Sequence, residues 1–228
     1  MKKIKSLVCI LLAVSMLFVL CACGGNVEGN VHHGDASENT ENVDGNSDSN
    51  FDIGTVSGGK YENKFFGIGC AMDENWTFAT EDQLLDMIGE TADQIEDGDL
   101  KDSLMNANMF YDMQVASNDG YANINVVIEN LGVMYGTIIS EDEYVKQNVE
   151  QLPSALAQAG IDVNSCEATT VQFAGAERNA IQSSSVTQGV DLYQLQVIIK
   201  NGSYIAIVTI SSYVSDITAD IAAMFYVI

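Results

Sequence analysis

The chain has 228 residues and a formal net charge of −23, because 32 Asp and Glu stand against 9 Lys and Arg. So acidic a protein repels phosphate groups, which argues against nucleic acids and other polyanions as partners. The only histidines, His32 and His33, precede the part of the chain that can fold. Their position excludes Ser-His-Asp and Cys-His nucleophile systems and the common zinc sites from the domain.

The first 22 residues have the pattern of an export signal. Lys2, Lys3 and Lys5 precede an uncharged apolar stretch from Leu7 to Leu20, as in a secretory signal peptide. At about 1.5 Å per residue, a helix of roughly 14 residues is too short to cross a hydrocarbon core of about 30 Å. We therefore predict a signal peptide over residues 1–22.

The end of this signal resembles the lipobox of bacterial lipoprotein precursors. Cys23 follows the small residue Ala22, whereas Cys21 follows the larger Leu20, so Cys23 fits the motif better. The resemblance implies a diacylglyceryl group on Cys23 and cleavage before it. Two acyl chains suffice for stable anchoring, which predicts a protein held by lipid on the extracytoplasmic face of the cell membrane. An ordinary secretory peptide cut by another peptidase is the alternative.

Residues 23–55 are expected to form the lipidated cysteine and a disordered acidic linker. The segment is rich in Asn, Ser, Gly, Asp and Glu and nearly lacks aliphatic residues, so it cannot bury enough apolar surface to offset its chain entropy. Coil statistics place the domain about 30 Å from the bilayer. His32 and His33 lie in this linker and are expected to be solvated rather than to bind a metal.

Residues 56–228 are expected to form a single domain, and its clearest predicted element is a hairpin. Leu192–Lys200 and Ser203–Ser211 flank the pair Asn201-Gly202, which suits a two-residue turn. This loop would place Ile199 opposite Tyr204, giving one apolar face and one mixed, half-covered face. Further strands are predicted over Met109–Ser117, Tyr121–Asn130, Phe65–Cys70, Thr169–Phe173 and Asn179–Ser185.

Capping patterns predict the helices. Thr80 with Gln83 forms a capping box ahead of an apolar run, and Ser140 with Glu143 forms a second one, whose helix would end at Gly160. A last helix is predicted over residues 216–225. Hairpins interleaved with helices predict an α+β fold, with a mainly antiparallel sheet packed between helices.

One set of residues resembles a known family. The segments Tyr61–Ile68, Asp73–Phe78 with its Trp76, and Tyr111–Met113 resemble lipoproteins of Gram-positive bacteria that carry a PsbP/Mog1-like domain of unknown function. The resemblance implies a layered sandwich of an antiparallel sheet between helices, with Trp76 as a core anchor. Its motifs are structural, so it transfers no catalytic residue.

The remaining candidates for chemistry are carboxylates and thiols. An acidic cluster invites a calcium site, but its spacing fits no calcium-binding loop, and we interpret it as a solvated face; its members are Asp93, Glu96, Asp97, Asp99 and Asp102. We therefore predict no catalytic, metal or cofactor-binding residue. Cys70 and Cys166 are predicted to be free thiols, with a disulfide between them as the alternative.

These observations predict a non-catalytic binding or interaction module on the cell surface. Its partner would be a protein or a small molecule, bound at the half-covered sheet face or at an acidic surface. The alternative is a carboxylate-dependent extracellular hydrolase. That alternative requires two inward-facing carboxylates about 5–10 Å apart.

Overall fold

Two antiparallel β-sheets make up most of the folded chain. The computed structural model describes residues 51–87, 109–158 and 160–228. Within these ranges there are eleven strands: β1 Thr55–Ser57, β2 Lys60–Asn63, β3 Ile68–Ala71, β4 Trp76–Phe78, β5 Met109–Ser117, β6 Ala122–Asn130, β7 Asp162–Phe173, β8 Ala176–Thr187, β9 Val190–Asn201, β10 Tyr204–Tyr213 and β11 Phe225–Val227. The same ranges contain four helices: α1 Glu81–Met87, α2 Gly132–Ile138, α3 Glu141–Gln158 and α4 Thr218–Ala222.

The strands form a large sheet and a small sheet. The large sheet has seven strands in the order β4-β5-β6-β10-β9-β8-β7, and the small sheet has four in the order β1-β2-β3-β11. All neighbouring strands run antiparallel. We call the face of the large sheet that packs against the small sheet its inner face. The opposite, outer face carries α1 and α3.

The predicted fold class, an α+β sandwich with the sheet packed between helices, is wrong. Apart from the five-residue α4, the inner face of the large sheet is covered by the small sheet and not by helices. Residues 55–71 form three strands of three or four residues joined by tight turns, in which Gly58, Gly59 and Gly67 have positive φ. The helix predicted over residues 216–225 ends at Ala222, and the chain continues as β11 beside β3.

The inner core lies between the two sheets. In it, Tyr61 and Ile68 of the small sheet pack with residues such as Val126 and Val208 of the large sheet. All four side chains are 0% exposed. Trp76 is half-buried and packs against the same core. At about 25 cal/mol per Å² of apolar surface, this burial is the main stabilising contribution to the fold.

The outer core lies between α3 and the large sheet. Tyr144, Leu152 and Leu156 of α3 pack against Ile198 and Ile205, and all five side chains are buried. This spacing gives α3 an apolar stripe at helical periodicity, which explains how it seats on the sheet.

Both predicted capping boxes form. The Ser140 N–H donates to Glu143 Oε2 at 3.1 Å, and the Glu143 N–H donates to Ser140 Oγ at 3.2 Å. Thr80 and Gln83 exchange the equivalent bonds at 2.9 and 3.3 Å ahead of α1. These bonds satisfy N–H groups that a helix start leaves without an intrahelical partner.

The β9–β10 hairpin forms where predicted but with a different turn. Asn201 pairs with Tyr204, so the loop consists of Gly202 and Ser203. Gly202 has a φ of 58°, which the first loop position of such a turn favours. The Asn201 side-chain amide donates to the carbonyl of Phe65 at 2.7 Å, which holds Asn201 in the strand.

The hairpin register consequently differs from the prediction. Ile199 lies opposite Ala206 and not opposite Tyr204, a shift of two residues. An even shift leaves every side chain on its predicted face. The second face is not half-covered as predicted, since Gln194 and Gln196 are only 2% and 4% exposed.

The strand prediction was most accurate where the sequence between two strands contains typical turn residues. The predicted pair Met109–Ser117 and Tyr121–Asn130 matches β5 and β6 to within one residue. By contrast, β7 and β8 are each 12 residues long, whereas only Thr169–Phe173 and Asn179–Ser185 were predicted. In the unpredicted part of β7, Val163 and Cys166 both pack against the outer core, but the irregularity between Val163 and Ser165 breaks the two-residue spacing of their side chains.

Candidate functional site

Several residues singled out by the sequence lie outside the described residues. They are the lipidation candidate Cys23, the histidines His32 and His33, and the acidic cluster Asp93, Glu96, Asp97, Asp99 and Asp102. The candidate sites below are built from side chains within the described ranges.

Asp112 is a buried carboxylate on the inner face. A β-bulge in β5 at this residue turns it toward the small sheet, where it is 7% exposed. It accepts hydrogen bonds from Tyr61 Oη at 2.5 Å, Asn63 Nδ2 at 2.9 Å and the Gly54 N–H at 2.7 Å. Burial raises the pKa of Asp112, although the three donors act to lower it. Burial and the adjacent carboxylate raise the pKa of Tyr61 well above its ordinary value.

These bonds fasten the start of the folded chain. A Cβ at Gly54 would collide with the Tyr61 ring and the Asp112 carboxylate, so only glycine fits there. Phe51 is 5% exposed, and its ring stacks on that of Tyr204 at 4.0 Å between centroids. Residues 51–54, which belong to the predicted linker, therefore pack onto the domain.

Glu129 is a second buried carboxylate, but it lies on the outer face. It is 6% exposed and accepts a hydrogen bond from Tyr144 Oη of α3 at 2.6 Å. Burial raises the pKa of Glu129, while the Tyr144 hydroxyl acts to lower it. Among the described residues these two are the buried carboxylates. Because they lie on opposite faces of one sheet, they cannot flank a common glycosidic bond as a hydrolase pair must.

An amide cluster lies on the outer face of the large sheet. Its members are Gln114, Asn123, Asn125, Gln194 and Gln196, brought together by the pairing of β5, β6, β10 and β9. Gln194 Nε2 donates to Ser211 Oγ at 3.0 Å. Each member nevertheless keeps at least one buried polar atom without a partner in the described part of the chain, and Asn125 keeps two. Buried amides of this kind ordinarily bind water or another polar group.

The edge of the large sheet is formed by β7. It is the last strand of the sheet, and no strand among the described residues pairs with its other side. Its register with β8 is irregular between Val163 and Ser165 and continuous from Ser165 to Phe173. Nine residues of extended backbone, about 30 Å at about 3.4 Å each, thus form an open edge.

A shallow groove of about 380 Å³ runs between this edge and α3. Its lining residues come from α3, β7 and β8 and are Asp142, Val145, Lys146, Val149, Glu150, Ala168, Thr169 and Asn179. Asn179 Nδ2 donates to Asp142 Oδ1 at 2.8 Å, which ties the start of α3 to β8. Val149 and Ala168 give the groove an apolar floor, and carboxylates lie along its rim.

Both domain cysteines are free thiols, as predicted. Cys70 is buried in the inner core, and Cys166 is half-buried on the outer face of β7. The two thiols are therefore on opposite sides of the large sheet. Burial raises the pKa of Cys70 to about 12 and that of Cys166 to about 11, which makes both poor nucleophiles at neutral pH.

The sequence matches no protein-family model and no curated protein. In the described ranges, no three or more His, Cys, Asp or Glu side chains are grouped so that they could hold a metal ion. No helix there combines the length and the hydropathy needed to cross a bilayer.

Two features of the structure were missed by sequence reasoning. The open edge was missed because β7 was predicted at less than half its length. In the part that was not predicted, residues 162–168, Val163 is the one β-branched residue typical of strands. The helix α2 was missed because its seven residues, Gly132–Ile138, have no charge and two glycines. The available signal was the uncharged, largely apolar run itself, which lies between the predicted strand Tyr121–Asn130 and the capping box that begins at Ser140.

Proposed function

We propose that this chain is a lipid-anchored extracytoplasmic protein whose domain is a non-catalytic module that binds an extended, cationic segment of a partner protein. The observation that carries the binding mode is the open, nine-residue edge of β7 beside the acidic-rimmed groove. The anchor is supported by the lipobox-like residues around Cys23.

The backbone of β7 offers the affinity. An added strand pairs with the free N–H and C=O groups of a sheet edge, and alternate side chains then give specificity. Natural proteins usually protect long edges with Lys, Pro, a bulge or a covering segment. Ser165–Phe173 contain neither Lys nor Pro, and the irregularity of β7 lies before this stretch.

The groove offers the specificity. A strand paired to β7 would direct alternate side chains toward Val149 and Ala168, which suits apolar residues. Among the residues that line the groove, the carboxylates of Asp142 and Glu150 outnumber the one cation, Lys146. Charge complementarity therefore favours a segment in which Lys or Arg alternates with apolar residues.

A peptide titration tests the binding mode. The probe is a capped nine-residue peptide of alternating Lys and Val carrying a fluorophore, titrated with the full chain in detergent and followed by anisotropy. Its control is the same peptide N-methylated at the five central residues, which keeps the charge but cannot pair with a strand. We expect N-methylation to weaken binding about tenfold or more, and hydrogen exchange of the β7 amides to slow only with the unmethylated peptide.

A charge reversal tests the groove. Glu150→Lys should weaken binding of the unmethylated peptide about threefold, because it places a cation at the groove rim. Glu74→Lys is the matched control, since it makes the same charge change at an exposed turn away from β7. Equal binding of the two peptides, or equal effects of the two variants, would show that the peptide is held by the net charge alone and would overturn the proposal.

The anchor has its own test. Replacing the proposed lipid acceptor, Cys23→Ser, should release the chain from the membrane fraction of expressing cells, whereas Cys21→Ser should leave it there. Retention of the Cys23→Ser variant in the membrane fraction would contradict lipidation at Cys23.

A further inference from the structure

Helix α2 exposes an unusual amount of apolar surface. Val133, Met134, Tyr135 and Ile138 are 69, 74, 62 and 69% exposed, and none of the helix's seven residues is charged. Single exposed apolar residues are common on soluble domains, whereas a cluster of this kind marks a contact site. We call these four side chains the α2 surface.

The α2 surface cannot be hidden by a small movement of the helix, because its other side is fixed. A Cβ at Gly136 would lie 2.6 Å from Ser203 Cα, so the helix rests directly on the β9–β10 turn. The Leu131 N–H donates to the Ser203 carbonyl at 2.8 Å, and the Gly132 N–H donates to Asn130 Oδ1 at 2.9 Å. The helix is thus held with its apolar side outward.

The chain enters the domain at the same end. Phe51 stacks on Tyr204, the residue that follows the Ser203 on which α2 rests. Only 28 positions separate Phe51 from Cys23, and a coil of that length spans about 30 Å. A lipid group on Cys23 would therefore keep the α2 end of the domain within reach of the bilayer.

We propose that the α2 surface inserts into the interfacial layer of the bilayer to which the chain is anchored. This inference rests on the lipid anchor of the proposed function and is independent of peptide binding at β7. The α2 surface combines three aliphatic side chains with Tyr135, an amphipathic residue that prefers the headgroup level. Tethering supplies an effective concentration in the millimolar range, so a modest intrinsic affinity is enough.

The charges nearby define the kind of bilayer. Glu141, Asp142 and Glu143 begin α3 just after α2, and they outnumber Lys200, whose Nζ donates to the Gly202 carbonyl at 2.9 Å in the turn on which α2 rests. We therefore expect contact with zwitterionic headgroups. The same acidic residues disfavour a second copy of the chain as the occupant, because its α2 end would carry like charges.

Photo-crosslinking in vesicles tests this contact. The lipidated full chain carries a diazirine amino acid in place of Met134 and is reconstituted into phosphatidylcholine vesicles. The matched control carries it in place of Tyr121, which is 54% exposed and lies beside the opposite end of β10. Illumination should give at least fivefold more lipid adduct at position 134 than at position 121.

The outcomes separate the contact from the anchor. Equal lipid adducts at the two positions, or adducts at position 134 to a second copy of the chain, would overturn the proposal. Replacing half of the lipid with phosphatidylglycerol should lower the yield at position 134. Whether Cys23→Ser releases the chain from the vesicles tests the anchor alone, since that readout does not depend on adducts at position 134.

Discussion

Buried polar groups on the two faces of the large sheet differ in their hydrogen bonding. On the inner face, Asp112 is surrounded by three donors and serves as the acceptor that fastens residues 51–54 to the domain. On the outer face, the amide cluster also has buried polar atoms, but these have no partners among the described residues. Burial alone therefore does not decide whether a polar side chain stabilises this fold; the presence of partners does.

The largest expected effect comes from removing the acceptor on the inner face. Asp112→Ala leaves the donors of Gly54, Tyr61 and Asn63 buried and unsatisfied, and we expect a loss of about 3 kcal/mol in the free energy of unfolding. Urea unfolding measures this loss. Asp191→Ala, an exposed carboxylate on the same sheet, is the control and should change stability by at most about 0.5 kcal/mol. A loss below about 1 kcal/mol for Asp112→Ala would contradict the role of this cluster.

The next effect has the opposite sign on the outer face. Asn125 has no partner for either polar atom within the described part of the chain, so Asn125→Leu should raise the free energy of unfolding by about 1 kcal/mol. The same exchange in the small sheet, Asn63→Leu, should lower it by about 2 kcal/mol, because Asn63 donates to Asp112 and accepts from the Phe66 N–H. Both variants are compared by urea unfolding. A destabilised Asn125→Leu variant would mean that the amide cluster holds a tightly bound water or another polar group.

The pH dependence of stability distinguishes a buried acid from an exposed one. The pKa of Glu129 is raised in the folded state, so the folded state binds the proton more tightly than the unfolded state does. Glu129 therefore stabilises the folded state fully below its ordinary pKa of about 4.5. This stabilisation is lost as the pH rises through its raised pKa in the folded state. Glu129→Gln should remove that loss, so the stability of the variant should rise relative to that of the parent as the pH is raised from 4 to 7.

Unfolding curves at several pH values measure this difference. Glu74→Gln is the control, since Glu74 is exposed and its replacement should leave the pH profile parallel to that of the parent. A Glu129→Gln profile that is also parallel to the parent would contradict the prediction.

The smallest effect concerns the two thiols. Cys70 lies in the inner core and Cys166 on the half-open edge strand, so iodoacetamide at pH 8 should modify Cys166 slowly and Cys70 only in urea. Peptide mass spectrometry after timed quenching measures both. Modification of Cys70 in the native protein at the rate of Cys166 would show that the inner core opens more readily than its packing implies.

Local signals in the sequence were enough to predict several elements. Both capping boxes, the β5–β6 pair and the end of α3 near Gly160 rest on interactions between residues close in sequence, and all are confirmed. The hairpin turn was misplaced by one residue because Asn201 is held in its strand by the distant carbonyl of Phe65. The predicted layers were wrong because the small sheet depends on the pairing of β11 with β3, which joins residues more than 150 positions apart.

The candidate sites were harder to predict than the elements. The hydrogen bonds of Asp112 depend on a bulge in β5 and on donors some 50 positions away, which no local pattern indicates. The open edge of β7 depends on strand order, which follows from the whole topology. By contrast, the prediction of lipid on Cys23 uses a short motif and needs no tertiary structure, and it remains a prediction.

The fastening of residues 51–54 has a mechanical consequence. Tension on an anchored chain would reach the domain first at Phe51. It would be resisted by the stacking of Phe51 on Tyr204 and by the hydrogen bond from the Gly54 N–H to Asp112. Behind them lies β1, only three residues long and paired with β2 alone. A pull from the membrane would thus detach Phe51 and peel β1 before it loaded the long strands, so the first event under force would be a lengthened tether with the seven-stranded sheet still intact.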